Sequence, residues 1–479
     1  MSELSLEELE RCAQTAADMD VLCGITEELR PYEGCMVRGR LPEGLPVLHL
    51  DDVSEIPFLE GIVGMEFYQL RARVRAGDGD LFAATCEEVE GYEEYNCGHL
   101  GLGSPSFVHA PPFSGPPSAV ARACQEGLAR DTLVRVAREA GGLSIHPYMG
   151  STPVWRMALD LCQEAGVPVT VLAPPPPVTW LANDKEMLTR VAQAVCSDNV
   201  LGSAPTAETM GGDSAEELSA ALRELATRHD RVALKMTRCA SAMGNEVFRS
   251  ADVLALNEQS LVAQVARFLQ EKEWTAGETV LAVQWLDIDS SPSTQLWVPP
   301  LGEGLPTVDG VYEQLLEGEE CVFLGSVPSR LGADLDRRLS VASIRVARVF
   351  QELGYVGRCS FDFVILGDDA FFVECNGRWG GTSTPMHLLD RLFPDGRPAY
   401  RARDYIDPRL AGVPFPRILE AIGSDLYDRR TGRGSYVLYN VGCQGLYGKF
   451  DVIALGDTVD EANRVLEDRL PGLLERCLG

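Results

Sequence analysis

Lysine is almost missing from this chain. Of 42 basic residues only Lys185, Lys235, Lys272 and Lys449 are lysine; the rest are arginine. A chain that uses arginine wherever either base will serve keeps lysine for places that need a compact ammonium, because the two cations differ at phosphates and in tight sites. Positive charge of any kind is scarce, and the formal net charge is −29. That excludes nucleic acid and anionic membranes as expected partners, since both require a basic face. No run approaches the ~18 uninterrupted apolar residues of a membrane span. The opening MSELSLEELERC is acidic and has no apolar core segment, so no signal peptide is expected and a cytoplasmic protein is. The fourteen cysteines include no CxxC pair and no Cys/His cluster with zinc spacing, and Cys162, Cys196 and Cys239, inside apolar periodic segments, read as small core residues of a reducing compartment. With six histidines spread along the chain, a histidine metal site is not expected either.

What is present is apolar residue, 45% of a 479-residue chain. That is enough for two to four packed units of roughly 100–200 residues. Residues 1–182 read as one α/β unit. Gly61–Leu70, Leu143–Tyr148 and Val167–Leu172 have strand character, and Ala119–Ala140 and Thr152–Gly166 have helical periodicity. The run Ala173-Pro174-Pro175-Pro176-Pro177 is expected to be stiff and extended and to mark a boundary. Beyond it Asn183 is a candidate helix cap with Glu186 at the third position of a capping box. Helices are expected at Ser214–His229, Asn257–Lys272 and Leu335–Leu353. Strands are expected at Arg231–Met236, Glu246–Phe248, Thr279–Leu286, Gly357–Leu366 and Ala370–Cys375. The last two are joined at Gly367-Asp368-Asp369 as a hairpin. The tail holds a strand pair, Tyr436–Tyr439 and Phe450–Ala454, and a helix from Thr458 to about Arg469.

The hairpin carries the sharpest chemical signal. Alternation places Glu374 and Asn376 on one face of the second strand, and the turn brings Asp362 opposite them. Two carboxylates and an amide are the oxygen donors a hard cation such as magnesium takes, with water and phosphate completing its shell. Arg378 can reach a phosphoryl or acyl-phosphate oxygen with both arms of its guanidinium. Gly380, Gly381, Thr382, Ser383 and Thr384 offer backbone N–H groups and hydroxyls to anionic oxygens. Lys235 ends a strand before the small-residue loop 237–245, where an ammonium can point at phosphates while the loop closes over them. Lys185 lies in the first turn of a helix, against the dipole preference by ~0.3–1 kcal/mol. Val283, Gln284, Trp285 and Leu286 end an apolar strand whose backbone could pair with an adenine edge.

The order of these parts resembles the ATP-grasp superfamily over residues 183–395. It runs from Asn183-Asp184-Lys185 to Lys235 with its loop, then Val283–Leu286, then Asp362 twelve residues before Glu374-Cys375-Asn376-Gly377-Arg378. Upstream, His146-Pro147-Tyr148-Met149-Gly150-Ser151-Thr152 and the proline run resemble the pre-ATP-grasp domain of a bacterial subgroup that includes the peptide ligase of pheganomycin biosynthesis. The resemblance implies an α/β chain, α+β in its ATP-grasp part, divided into a pre-ATP-grasp domain at 1–182, an ATP-grasp region at 183–395 and a small C-terminal subdomain at 396–479. It implies that Lys185 and Lys235 contact ATP phosphates under the loop holding Ser241 and Gly244, and that Val283, Gln284, Trp285 and Leu286 border adenine. It implies further that Asp289 or a neighbour holds the ribose, and that Asp362, Glu374 and Asn376 bind two magnesium ions. Arg378 would stabilise the group in transfer. Gly377 departs from the pattern, standing where proline is common.

The activity implied is that of a carbon–nitrogen ligase. A carboxylate is activated as its acyl phosphate, an amine attacks it, and ADP and phosphate leave. Amino-acid or peptide substrates of bacterial specialised metabolism are expected, as small-molecule carboxylate and amine. Two other readings stand beside this one. The first is transfer of the acyl group to a carrier-protein thiol. The second is an ATP-binding module without catalysis, against which Asp362, Glu374, Asn376, Arg378 and both lysines argue.

Overall fold

A computed structural model describes residues 4–40, 43–57, 64–111, 115–238, 244–317 and 322–478. Its backbone forms three sheets. The first is built from β1 (Val47–Leu50), β2 (Leu81–Ala84), β3 (Ser106–His109), β4 (Leu143–Pro147) and β5 (Val169–Val171). These strands pair in the order β3-β2-β1-β4-β5, parallel throughout. Helices such as Gly127–Ala140 and Thr152–Ala165 cover its apolar surface, with Leu48, Ile145, Leu133 and Trp155 in one core. Near-continuous apolar strands of this kind are what a sheet buried on both faces demands.

The second sheet has four antiparallel strands in the order β6-β9-β7-β8: β6 (Thr209–Gly212), β7 (Arg231–Met236), β8 (Asn245–Arg249) and β9 (Val280–Gln284). Helices Ala215–Ala226 and Glu258–Glu271 pack on one face through Leu218, Leu222, Leu261, Val265 and Phe268.

The third sheet has eight strands: β10 (Pro292–Val298), β11 (Thr307–Glu317), β12 (Val322–Pro328), β13 (Gly357–Leu366), β14 (Asp369–Asn376), β15 (Ala399–Ile406), β16 (Tyr436–Tyr439) and β17 (Lys449–Gly456). They are ordered β14-β13-β10-β11-β12-β15-β17-β16. The strands after residue 396 thus continue the sheet that contains the hairpin. Helix Ala333–Glu352 lies under this sheet, and the first helix, Leu6–Cys23, packs on it through Cys12, Ala16 and Met19. Arg345 ties the two helices through Glu8 and also holds Asp198 at 2.8 Å.

Three local expectations are corrected. Residues 61–63 of the expected strand Gly61–Leu70 lie outside the described residues, and Met65–Val74 is a 3-10 helix. Its Met, Glu, Gln, Leu and Arg side chains suit a helix, and its buried stretch Gln69–Val74 includes three polar residues that a simple alternation count misreads. The proline run does not stay extended: Pro176 opens helix Pro176–Asn183, with proline at the first turn, where its missing N–H costs nothing. Asn183 ends that helix, and Asp184 is the cap of the next one, Lys185–Val195, accepting from Glu186 N at 2.9 Å and Met187 N at 3.3 Å.

Candidate active site

The β13–β14 hairpin shows why its acids face outward from the core. Phe361 and Phe363 are fully buried, each contributing about 1.5–3 kcal/mol, while Asp362 between them points to the opposite face. The register sets Asp362 across from Glu374 and Ser360 across from Asn376. The register then shifts by one residue at Val373, so that Phe363 meets Phe372. This bulge lets Phe372 return to the core while Glu374 and Asn376 share the face of Asp362, a use typical of bulges beside sites.

Asn376 Nδ2 donates to Asp362 Oδ2 at 3.0 Å. Ser293 on β10 stands across from Asp362, and it and Gln314 on β11 oppose the rise of its carboxyl. Sequence reasoning did not find these two, because their strands come next to the hairpin only in the folded sheet. Burial, and then the charge of Glu374, push the Asp362 carboxyl up to about 7. Glu374 goes the other way: burial raises it, but Lys185, Lys235 and Arg378 outweigh burial and hold it below the ordinary range. No group of three His, Cys, Asp or Glu that could hold a metal occurs among the described residues. The donors here are two carboxylates and an amide. The raised Asp362 beside an ionised Glu374 marks a face that takes up a proton or a cation, which suits a hard divalent ion.

Both motif lysines converge on Glu374. Lys185 is buried and its Nζ lies 3.0 Å from Glu374 Oε2. Its backbone N donates to Thr237 O at 3.1 Å, joining the helix to the loop that follows β7. Lys235, at the end of β7, reaches Glu374 electrostatically, and its Nζ lies 6.0 Å from the centre of the Trp285 ring. Arg238 Nε contacts Asp184 Oδ2 at 3.0 Å. Ser241 lies outside the described residues. Gly244 accepts from Met236 N at 2.9 Å and so closes the β7–β8 turn.

Arg378 is held by a residue that the sequence suggested only as a helix cap. Asn183 Oδ1 accepts from Arg378 Nη1 at 2.8 Å and from Gly377 N at 3.1 Å, while Asn183 Nδ2 donates to Thr179 O at 2.7 Å. The absence of proline at 377 now has a cause. A Cβ there would sit 2.7 Å from Asn183 Nδ2, so any side chain would push Asn183 off Arg378.

Two expected groups are already engaged. Gly380 N donates to Ser383 Oγ at 2.6 Å, and Thr384 N and Oγ1 both bond Gly380 O at 3.2 Å. Thr382, Ser383 and Thr384 are buried at the start of helix Ser383–Leu392; only Gly381 is exposed. The Ser383 and Thr384 hydroxyls are therefore spent on Gly380, while Gly381, Thr382 and Ser383 stand with their backbone N–H groups at the start of the helix. On the adenine side, Val283 lies inside the β9 ladder between Thr209 and Ala233. Gln284 N donates to Glu208 O at 2.8 Å and Trp285 N to Arg231 O at 3.0 Å, so Leu286 is the first residue past the ladder. Asp289 is exposed and its carboxylate accepts from Gly367 N at 2.8 Å, pinning the hairpin turn.

No family model and no curated protein matches this sequence. Solved structures do resemble it. The ADP complex of an N5-carboxyaminoimidazole ribonucleotide synthetase matches with a TM-score of 0.50 at 14% identity, over 93% of this chain and 100% of that one. The biotin carboxylase domain of Hydrogenobacter thermophilus 2-oxoglutarate carboxylase, solved with MgADP, ADP and bicarbonate, matches with 0.50 at 15% identity, over 85% and 86%. Rhizobium etli pyruvate carboxylase matches with 0.52 at 14% identity, over 88% of this chain and 37% of its own. At such identities the likeness is one of fold, and the chain has the ATP-grasp fold with an N-terminal α/β unit. No helix among the described residues is long and apolar enough to cross a membrane.

Proposed function

We propose that the protein is an ATP-dependent carboxylate–amine ligase that proceeds through an acyl phosphate and releases ADP and phosphate. The observation that carries this reading is the convergence of Lys185 and Lys235 on Glu374, directly across the hairpin from Asp362. A buried ammonium paired to a carboxylate 3.0 Å away can exchange that partner for a phosphate oxygen without losing its counter-charge. Two magnesium ions held by Asp362, Glu374 and Asn376 would supply charge neutralisation at the β- and γ-phosphates. Arg378 is oriented by Asn183 toward the same face and stabilises the transferring phosphoryl group, so the chain's own part is positioning and screening. Fold likeness to structures solved with ADP and MgADP supports nucleotide binding.

Amino acids or peptides are the substrates we favour, in line with the resemblance of residues 146–185 to the pheganomycin-type peptide ligases and with a specialised bacterial pathway. The test is a phosphate-release screen of amino acids taken in pairs, with and without magnesium. With the true acid alone, hydroxylamine should trap a hydroxamate and ADP should form. Arg378→Ala should lower that partial reaction while ATP binding stays largely in place. Formation of AMP and pyrophosphate would overturn the mechanism. Hydroxamate without amide from any amine tested would point to a carrier-protein thiol as acceptor.

A further inference from the structure

The parallel sheet has a topological switch point between β1 and β4, from which the chain winds outward in opposite directions. In open α/β sheets ligands bind outside the carboxyl ends of the strands at such a point. Here that place holds Asp51 directly after β1 and His146 and Tyr148 at the end of β4. Trp379, one residue beyond Arg378, lies over them and donates its backbone N–H to Tyr148 O at 2.9 Å. Around its indole gather the Arg75 guanidinium at 4.8 Å, that of Arg358 at 5.4 Å and the His146 ring at 5.4 Å.

Each of these three side chains has a nitrogen left over. Arg75 spends Nη2 on Asp51 at 2.5 Å, and Arg358 spends Nη1 on Asp309. Arg75 Nε, Arg358 Nε and His146 Nε2 are buried and have no hydrogen-bond partner among the described residues. Orphaned buried N–H groups are rare in folded proteins, and two guanidinium N–H groups with an unpaired imidazole nitrogen about one ring ask for a partner. The charge agrees. Arg71 also contacts Asp51, at 3.3 Å, so three arginines share two carboxylates. This buried cluster is positive in a chain of formal charge −29. Burial and the neighbouring arginines keep His146 neutral, so that positive charge resides on the guanidinium groups.

We propose that the cluster of Arg75, Arg358 and His146 about Trp379 binds a free carboxylate of the amine-donating substrate. The acceptor is then an α-amino acid or peptide that offers its amine while its own carboxylate stays unreacted. This rests on the ligase reading above. The carboxylate to be activated must lie at the phosphate end, beside Glu374 and Arg378. An anion held by two ion-paired arginines beside an indole is kept apart from that end. A site built to hydrogen-bond a group rejects an analogue lacking it, because its own buried donors are then stranded.

The test is calorimetry of the whole protein, without nucleotide and with the magnesium complex of AMP-PNP. The titrants are α-amino acids and dipeptides, each compared with its C-terminal carboxamide. At least one acid should bind, its carboxamide at least ~10²-fold more weakly. Arg358→Gln and Arg358→Lys should each weaken the acid at least ~10-fold while AMP-PNP affinity is unchanged. Equal binding of acid and carboxamide in the wild type, which needs no variant, overturns the proposal, as does binding of neither. So does a preference for the acid that survives both Arg358 variants and disappears in Arg378→Ala, because it then belongs to the carboxylate being activated. Absent AMP-PNP binding would sink the ligase reading separately, leaving the carboxylate preference to be read from the nucleotide-free titration.

Discussion

The β13–β14 hairpin and strand β9 both carry residues that the sequence offers to a nucleotide, and folding treats them differently. In the hairpin the offered groups are side chains. The backbone ladder is made by other atoms, and Asp362, Glu374 and Asn376 remain on one face with Lys185 beside them. In β9 the offered groups are backbone N–H, and the sheet takes them: Gln284 serves Glu208 on the β6 side and Trp285 serves Arg231 on the β7 side. β9 is an inner strand, flanked by β6 and β7, so its backbone donors are claimed before any ligand arrives. Side-chain chemistry on a strand survives assembly because side chains stand off the ladder, and here the bulge at Val373 turns Glu374 and Asn376 to the face of Asp362. Backbone chemistry depends on which strands come alongside.

The largest effect should come from the hairpin. Glu374→Gln keeps the shape and removes the charge on which both lysines converge. Ligation should fall at least ~10²-fold, since metal screening supplies several kcal/mol at the transition state. ADP release by the purified variant at near wild-type rate would place the metal elsewhere and dissolve the contrast with β9.

That contrast also explains what could be read in advance. The hairpin, Lys235 at the end of β7 and the helices at Ala215–Ala226 and Ala333–Glu352 rest on local periodicity and were legible. Asp184 in place of Asn183 as cap is a one-residue change, yet it frees Asn183 to clamp Arg378 across 195 residues of sequence. Ser293 and Gln314, which act on the Asp362 carboxyl, arrive from strands whose pairing no local pattern states. Glycine at 377 looked like a departure and proved to be the space that Asn183 needs. The bulge at Val373 was invisible to a local count: strict pairing from the turn would set Asp362 across from Val373 and turn Glu374 to the core face, and only the one-residue shift brings Glu374 across from Asp362.

Lys235→Arg should rank next. It preserves charge but replaces a point donor by a wide planar fork, in a chain that elsewhere prefers arginine. A charged hydrogen bond lost at the phosphates corresponds to ATP binding weaker by roughly 10–100-fold. Unchanged affinity by calorimetry would show that the lysine is incidental and that the loop end of β7 resembles β9 more than the hairpin.

A smaller effect is expected at Asn183, which acts only through Arg378. Asn183→Ala removes the acceptor that orients the guanidinium and leaves Gly377 N without its partner. The loss of one oriented hydrogen bond predicts turnover lower by roughly 2–10-fold, with ATP affinity unchanged. Gly377→Ala should reproduce this phenotype, because its Cβ would displace Asn183. A fall in ATP affinity instead, read by calorimetry, would place Asn183 at the nucleotide and not behind Arg378.

The smallest effect sharpens the comparison most, because it lies between the two regions. Asp289 follows β9 in sequence, yet its carboxylate pins the tip of the hairpin by accepting from Gly367 N at 2.8 Å, and its own N–H donates to Ile365 O at 2.8 Å. Gly367 has φ +59° and is exposed, so the turn relies on such contacts to keep its shape. Asp289→Ala removes the acceptor and keeps the backbone bond. The cost should be about 1 kcal/mol of stability or less, the value of one hydrogen bond at an exposed site, read as a small loss in denaturant midpoint. The KM for ATP should not move, since the turn lies four residues along β13 from Asp362 and the carboxylate is already used. A tenfold rise in that KM with unchanged stability would return Asp289 to the ribose and show that the hairpin contact gives way when nucleotide binds.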